Sequence, residues 1–86
     1  MEYEWQGFYI PNRMMGGIQR YISNNIRPGG FLSAVIQNDL REAVARADDE
    51  NLRNLPAYVA YFWNNAPSLC WGSAKAMDRW LKGESK

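Results

Sequence analysis

From residue 12 onward, apolar side chains recur every three or four positions, the spacing of helices with one face in a core. Met14, Ile18, Tyr21, Ile22 and Ile26 form one such face. They predict a first helix over residues 12 to 26, opened by Pro11 and ended by Pro28-Gly29-Gly30. Leu32, Ile36, Leu40, Ala43 and Ala47, flanked by Phe31, Val35 and Val44, predict a second and central helix over residues 30 to 47. A third carries Leu52, Leu55, Val59, Phe62 and Trp63. The acidic run Asp48-Asp49-Glu50 suits its positive end, and Asn64-Asn65-Ala66-Pro67 stops it. Pro56 is harmless in a first turn but kinks a helix that already begins near Asp49. Ser73 suits the N-cap of a short last helix bearing Met77, Trp80 and Leu81, with Gly83 placed to close it. Ahead of these, EYEWQGFYI alternates as extended chain does, with no obvious strand to pair with, so residues 1 to 10 read as an extended arm packed on the body. The expected fold class is all-α: a compact bundle of about four helices with that arm. It forms one domain over residues 1 to 86, with residues 83 to 86 as a disordered tail.

Several polar residues sit badly in this scheme. At about 100° per residue, Asp39 and Arg46 fall inside the apolar stripe of the second helix. Arg46 can pair with Glu42 one turn away. Asp39 needs a partner from elsewhere, because an isolated buried carboxylate costs several kcal/mol. Either an arginine of the first helix or Arg79 supplies it, or Asp39 belongs to a polar site open to a ligand. Arg13, Arg20 and Arg27 are spaced by seven and share a line with Gly17 and Asn24, opposite the apolar face of the first helix. That row is either a solvated basic side or a surface for phosphate or carboxylate. Gly16-Gly17 suggests either that the helix starts later or that something approaches its backbone closely, since each glycine costs roughly 1 kcal/mol inside a helix. Trp71 stands just before Ser73, where it either closes a core or offers a stacking surface beside amides that face an anion. Cys70 reads as a small buried hydrophobe.

Composition narrows the function classes. The chain has 86 residues, 47% of them hydrophobic, with four Trp and five Tyr, enough to fill a core and leave aromatic surface over. A domain of this size has a stability margin of only a few kcal/mol, which a self-associating surface would raise, so a homo-oligomer is expected. Ten Lys and Arg against nine Asp and Glu give a net charge of +1, which leaves no field to draw the protein to nucleic acid or to a membrane. No stretch reads as a signal peptide, no apolar run is long enough for a bilayer, and one cysteine cannot form an internal disulfide. A soluble protein of a reducing cytoplasm is the expectation. Without histidine there is no Ser-His-Asp or Cys-His machinery and no His-containing metal site, and GxxxxGK[ST] and GxGxxG are both missing. The chain therefore reads as non-enzymatic, with no cofactor and no metal.

The runs GGIQRYI, PGGFLSAVIQNDLREAVARADDEN and NNAPSLCWGS resemble a group of small proteins encoded in tailed-phage and prophage genomes. The likeness spans roughly residues 10 to 82, is most characteristic in FLSAVIQNDL followed by RAD and Asn51, and departs from the group at Pro56. It brings no activity. It implies a compact phage accessory protein of the host bacterial cytoplasm, a class that often blunts bacterial defence or redirects host proteins. Asn38, Asp39, Arg46, Asp48 and Asn51 belong to the shared pattern. Two readings follow. In the first, the protein sequesters a small anionic, nucleotide-type immune signal without cleaving it. Arg13, Arg20 and Arg46 then hold charge over the backbone cleared at Gly17. Asn38, Asp39, Asp48 and Asn51 give polar edges, Tyr21 or Trp71 stacks, and Ser73 caps the last helix beside the site. In the second, an aromatic patch such as Tyr58, Tyr61 and Trp63 covers a functional surface of a host defence or regulatory enzyme. The first is favoured because short polar side chains inside a helical stripe suit a small ligand.

Overall fold

The computed structural model describes residues 3 to 84. Its chain starts with a reversal at Gln6-Gly7, which take φ of 50° and 86°, the two left-handed residues that a two-residue hairpin loop needs. Strands β1 (Tyr3–Trp5) and β2 (Phe8–Ile10) are thereby paired antiparallel, Tyr3 opposite Ile10 and Trp5 opposite Phe8. The expected extended arm is thus a small sheet, and the protein is mostly helical rather than all-α. Met1 and Glu2 of that arm lie outside the described residues, as do Ser85 and Lys86 of the expected tail. Gly83 and Glu84 close the last helix: at φ 76° Gly83 donates its amide to the Trp80 carbonyl at 3.0 Å, and Glu84 donates to that of Arg79 at 2.9 Å.

Six α-helices follow among the described residues, where about four are expected. They are α1 (Asn12–Asn24), α2 (Gly30–Ile36), α3 (Leu40–Arg46), α4 (Asp49–Arg53), α5 (Leu55–Asn65) and α6 (Ala74–Leu81), with a 3₁₀ turn at Ser68–Cys70. None is long and apolar enough to cross a membrane.

The central helix expected over residues 30 to 47 is two helices, and the break explains the charges in its stripe. Asn38 takes the left-handed conformation (φ 60°) and donates its amide to the Val35 carbonyl at 3.0 Å, while the Asp39 amide reaches that of Ala34 at 2.8 Å. This closure satisfies carbonyls at the end of α2. The Asp39 carboxylate then accepts from the Glu42 amide at 3.2 Å, as the N-cap of α3. Asp39 is therefore not a buried charge awaiting an arginine: a helix start uses its oxygen, and among the described residues no salt bridge reaches it. The third expected helix also divides, at Asn54. Asp48 caps α4 by accepting from the Asn51 amide at 2.8 Å, and Pro56 sits harmlessly in the first turn of α5. Ser73 caps α6 as its position suggests, accepting from the Ala76 amide at 3.0 Å.

The core gathers Ile10, Ile18, Tyr21, Phe31, Ile36, Tyr58, Phe62 and Met77, with α5 lying against both strands and α2. Its rings meet edge to face, Phe31 on Tyr58 at 5.0 Å and Tyr3 on Tyr61 at 5.2 Å between centroids. Gly17 is where α2 comes close: a Cβ there would lie 3.3 Å from Leu32 Cδ1. Among the described residues, two polar residues are buried, Asn51 and Asn54. Asn54 accepts from the Tyr9 amide at 2.9 Å and donates to the Glu50 carbonyl at 2.9 Å, which pins the hairpin to the end of α4. Asn51 accepts from the Tyr58 hydroxyl and donates to the Met14 sulfur at 3.8 Å. Among the described residues, no buried side-chain nitrogen or oxygen lacks a partner.

Two stability measurements follow. Tyr58→Phe leaves the Asn51 carbonyl buried and unpaired, so it should cost about 1 to 3 kcal/mol in denaturant unfolding; a loss within error would mean that water reaches Asn51. At the break, Asn38→Gly should be neutral within a few tenths of a kcal/mol, and Asp39→Ala should cost about 1 kcal/mol, as loss of a cap does. A loss of about 3 to 5 kcal/mol at Asp39 would instead indicate a buried ion pair.

Candidate functional site

The residues that the sequence brings forward as a ligand site do not share one place. Arg13, at the start of α1, is held by Asp48 at 3.1 Å and by Glu50 at 2.9 Å, and Tyr9 donates its hydroxyl to Glu50 at 2.6 Å. The two acids raise the Arg13 pKa. Asp48 is held below its ordinary pKa by the Asn51 amide and then by Arg13, and Glu50 by the Tyr9 hydroxyl and then by Arg13. This exposed cluster ties the hairpin, α1 and α4 together and leaves Arg13 already neutralised. Asn51, beneath it, is 3% exposed and belongs to the core.

Tyr21 is fully buried, donating its hydroxyl to the Cys70 carbonyl at 2.7 Å while its own carbonyl accepts from the Trp80 indole at 3.1 Å. Burial raises its pKa, and no face is free for stacking. The Cys70 thiol is pushed up to about 11 by burial, which leaves it inert as a nucleophile at neutral pH. Arg20 lies back along α1, its Nη1 3.0 Å from where a Gly16 Cβ would stand, so part of the glycine pair makes room for it. Gly17 faces Leu32.

Asp39 and Arg46 do come together, lining a polar hollow of about 380 Å³ with Arg27, Gly30, Gln37 and Glu42. Arg46 donates to Glu42 at 3.0 Å, the pairing read from their spacing, and its stem crosses Gly30, where a Cβ would lie 3.2 Å from Arg46 Cδ. Acid and base alternate here, so the hollow has no strong sign. Among the described residues, no group of His, Cys, Asp or Glu is placed to hold a metal ion.

A different surface stands out. Trp63 is 77% exposed, Leu40 68% and Val59 48%, all positions that the helical periodicity assigns to buried stripes. Leu40 faces out because α3 begins a new helix at Asp39, with its own phase. On α5 the inward face is Ala57, Tyr58, Ala60 and Phe62, which leaves Leu55, Val59 and Trp63, each four residues apart, on the outer side. Three hollows join there. One of about 120 Å³ runs between α3 and α5, with Leu40, Val59 and Trp71 on its walls. A second, about 520 Å³, lies between Trp63 and Trp71 with Asn38 at its edge. The third, about 380 Å³, lies between Trp63, Val59 and Trp5. They share Val59, Trp63, Trp71 and Asn38, so they form one continuous face. Trp71 is fixed by packing on Phe62, with ring centroids 5.6 Å apart.

The aromatic patch expected of Tyr58, Tyr61 and Trp63 is thus divided: Tyr58 is buried, Tyr61 is half-buried under Tyr3, and Trp63 alone of the three stands out. Leu40, expected in a buried stripe, and Trp5, expected in the extended arm, are additional members. The signal for the face was present in LPAYVAYFWNN, a helix with no charge on any side, which so short a chain cannot surround.

The acidic cluster sets a pH dependence. A carboxyl whose folded pKa is depressed stabilises the fold above its ordinary value, here 3.8 for Asp48 and 4.5 for Glu50, and loses that contribution as pH falls through the folded value. Arg13→Ala should therefore melt below wild type at neutral pH, with the gap closing once pH drops beneath the carboxylate range. A gap unchanged at low pH would locate the effect of Arg13 in packing.

No family model, curated protein or solved structure matches this chain, so what its surfaces can do follows from its own residues.

Proposed function

We propose that this is a non-catalytic protein-binding protein whose working surface is the apolar face around Trp63. The carrying observation is the continuity of that face: three adjoining hollows with an exposed tryptophan between them, where isolated surface hydrophobes would need no explanation. Tryptophan beside concave, uncharged surface is the composition of binding hot spots. Trp71 and Leu55 are anchored in the body of the protein, so the face is preorganised and little ordering opposes docking. The resemblance to tailed-phage accessory proteins extends this proposal to a counter-defence role in the bacterial cytoplasm.

The polar hollow supports a second reading, sequestration of a small anionic nucleotide-type signal, because it joins Asp39, Arg46 and Arg27. A phosphate there would have to draw Arg46 from Glu42. Of its other intended ligands, Arg13, Tyr21 and Asn51 are already engaged elsewhere. The balance therefore favours the apolar face.

A photo-crosslinking side chain at position 63, with the same group at exposed Gln19 as control, tests the proposal in the cell. Covalent polypeptide adducts are expected from position 63 and not from position 19. Their absence, alongside calorimetric heat with a nucleotide that Arg46→Ala abolishes, would transfer the function to the polar hollow.

A further inference from the structure

We infer that the occupant of the Trp63 face is a second copy of this chain, docked about a two-fold axis. The inference rests on reading that face as a docking surface and names its partner. A two-fold contact uses the same patch on both copies, so the patch has to complement itself: what projects from it must fit a hollow on it. Trp63 projects, 77% exposed, and on its two sides lie hollows of about 520 and 380 Å³. A half-turn about an axis through the face can then carry each Trp63 into a hollow of the other copy. A knob and a hole on separate faces would instead give open chains.

Charge points the same way. Among the described residues that line the three hollows, Asp39 is the one ionisable side chain, and it is occupied in capping α3. Surfaces that select a different protein use complementary charges to steer and to reject wrong partners. This face offers none, as interfaces between identical subunits do when their cores lack charge. Apart from the Asp39 carboxylate of each copy, two copies bring no like charges together on it, and a net charge of +1 apiece opposes their approach weakly.

Sedimentation velocity of the purified full chain over about 1 to 100 μM tests it. A two-chain species is expected, with Trp63→Glu and Val59→Lys each weakening association at least about a hundredfold while circular dichroism stays unchanged. Ile26→Glu, at an exposed apolar position that lines none of the three hollows, should leave it intact. A single chain throughout the range, or a dimer that survives both substitutions, overturns the second-copy assignment. Should a variant misfold, the crosslinking side chain at position 63 in purified protein decides, and its adduct must have twice the mass of the chain. The docking reading fails separately: it falls if position 63 yields no polypeptide adduct in the cell, and it outlives the dimer if the adduct is a different polypeptide.

Discussion

Helix ends govern this structure. A helix leaves its first four amides and last four carbonyls without partners, and α2, α3 and α4 are seven, seven and five residues long, so end groups make up most of their backbone. Such segments are unstable in isolation and persist only where the ends are satisfied and one face is buried. Asp39, Asp48 and Ser73 each accept an amide at a helix start, and Asn38 and Gly83 close helix ends through left-handed backbone. The polar residues of FLSAVIQNDLREAVARADDEN are thus largely the means by which a chain changes direction every few residues. Removing them would not free a ligand site. It would take away the turns that put α3 beside α2.

The same economy extends inward. Asn51 and Asn54 bring amides into a core that is otherwise apolar, and each bridges elements that no backbone ladder joins: Asn51 connects α4 to α5 and α1, and Asn54 connects α4 to the hairpin. Burying them is tolerable because every one of their polar atoms is used or shielded. In return the network fixes orientation, which apolar contacts alone specify loosely. Arg13, Asp48 and Glu50 continue it to the surface, where solvent screening makes the ion pairs individually weak.

Much of the helical content was legible in the sequence, because periodicity and caps act locally. The starts at Asn12 and Ala74, the stop after Asn65 and the Arg46–Glu42 pair all follow from near neighbours. The breaks at Asn38 and Asn54 were not read, although Asn-Asp inside a stripe is both a left-handed stop and a cap. An amphipathic pattern carried across the break hid it, since Leu40 and Ala43 continue the spacing of Leu32 and Ile36. The hairpin was missed because Gln-Gly is a less familiar turn pair than Asn-Gly, yet two short runs separated by two residues are its signature. The candidate site was less legible. Whether Tyr21, Asn51 or Trp63 faces out depends on which elements pack against them, and that is a property of the assembled chain.

What the folded chain leaves over is as informative as what it buries. Helix α5 is apolar around its whole circumference, and the protein has one layer with which to cover it: the hairpin and α2 take the side of Tyr58 and Phe62. With 5221 Å² of accessible surface, the chain is as closed as a compact protein of its mass should be, about 5200 Å², so the exposure of Val59 and Trp63 does not arise from loose folding. A single charge in place of Val59 or Trp63 would have made that side an ordinary solvated surface, with small effect on the fold because neither side chain is buried. Large apolar residues there, beside hollows bounded by two further tryptophans, lower the free energy of the chain once something covers them and raise its tendency to aggregate until then. That asymmetry is why the Trp63 face, and not the charged residues that first draw attention in the sequence, carries the functional argument.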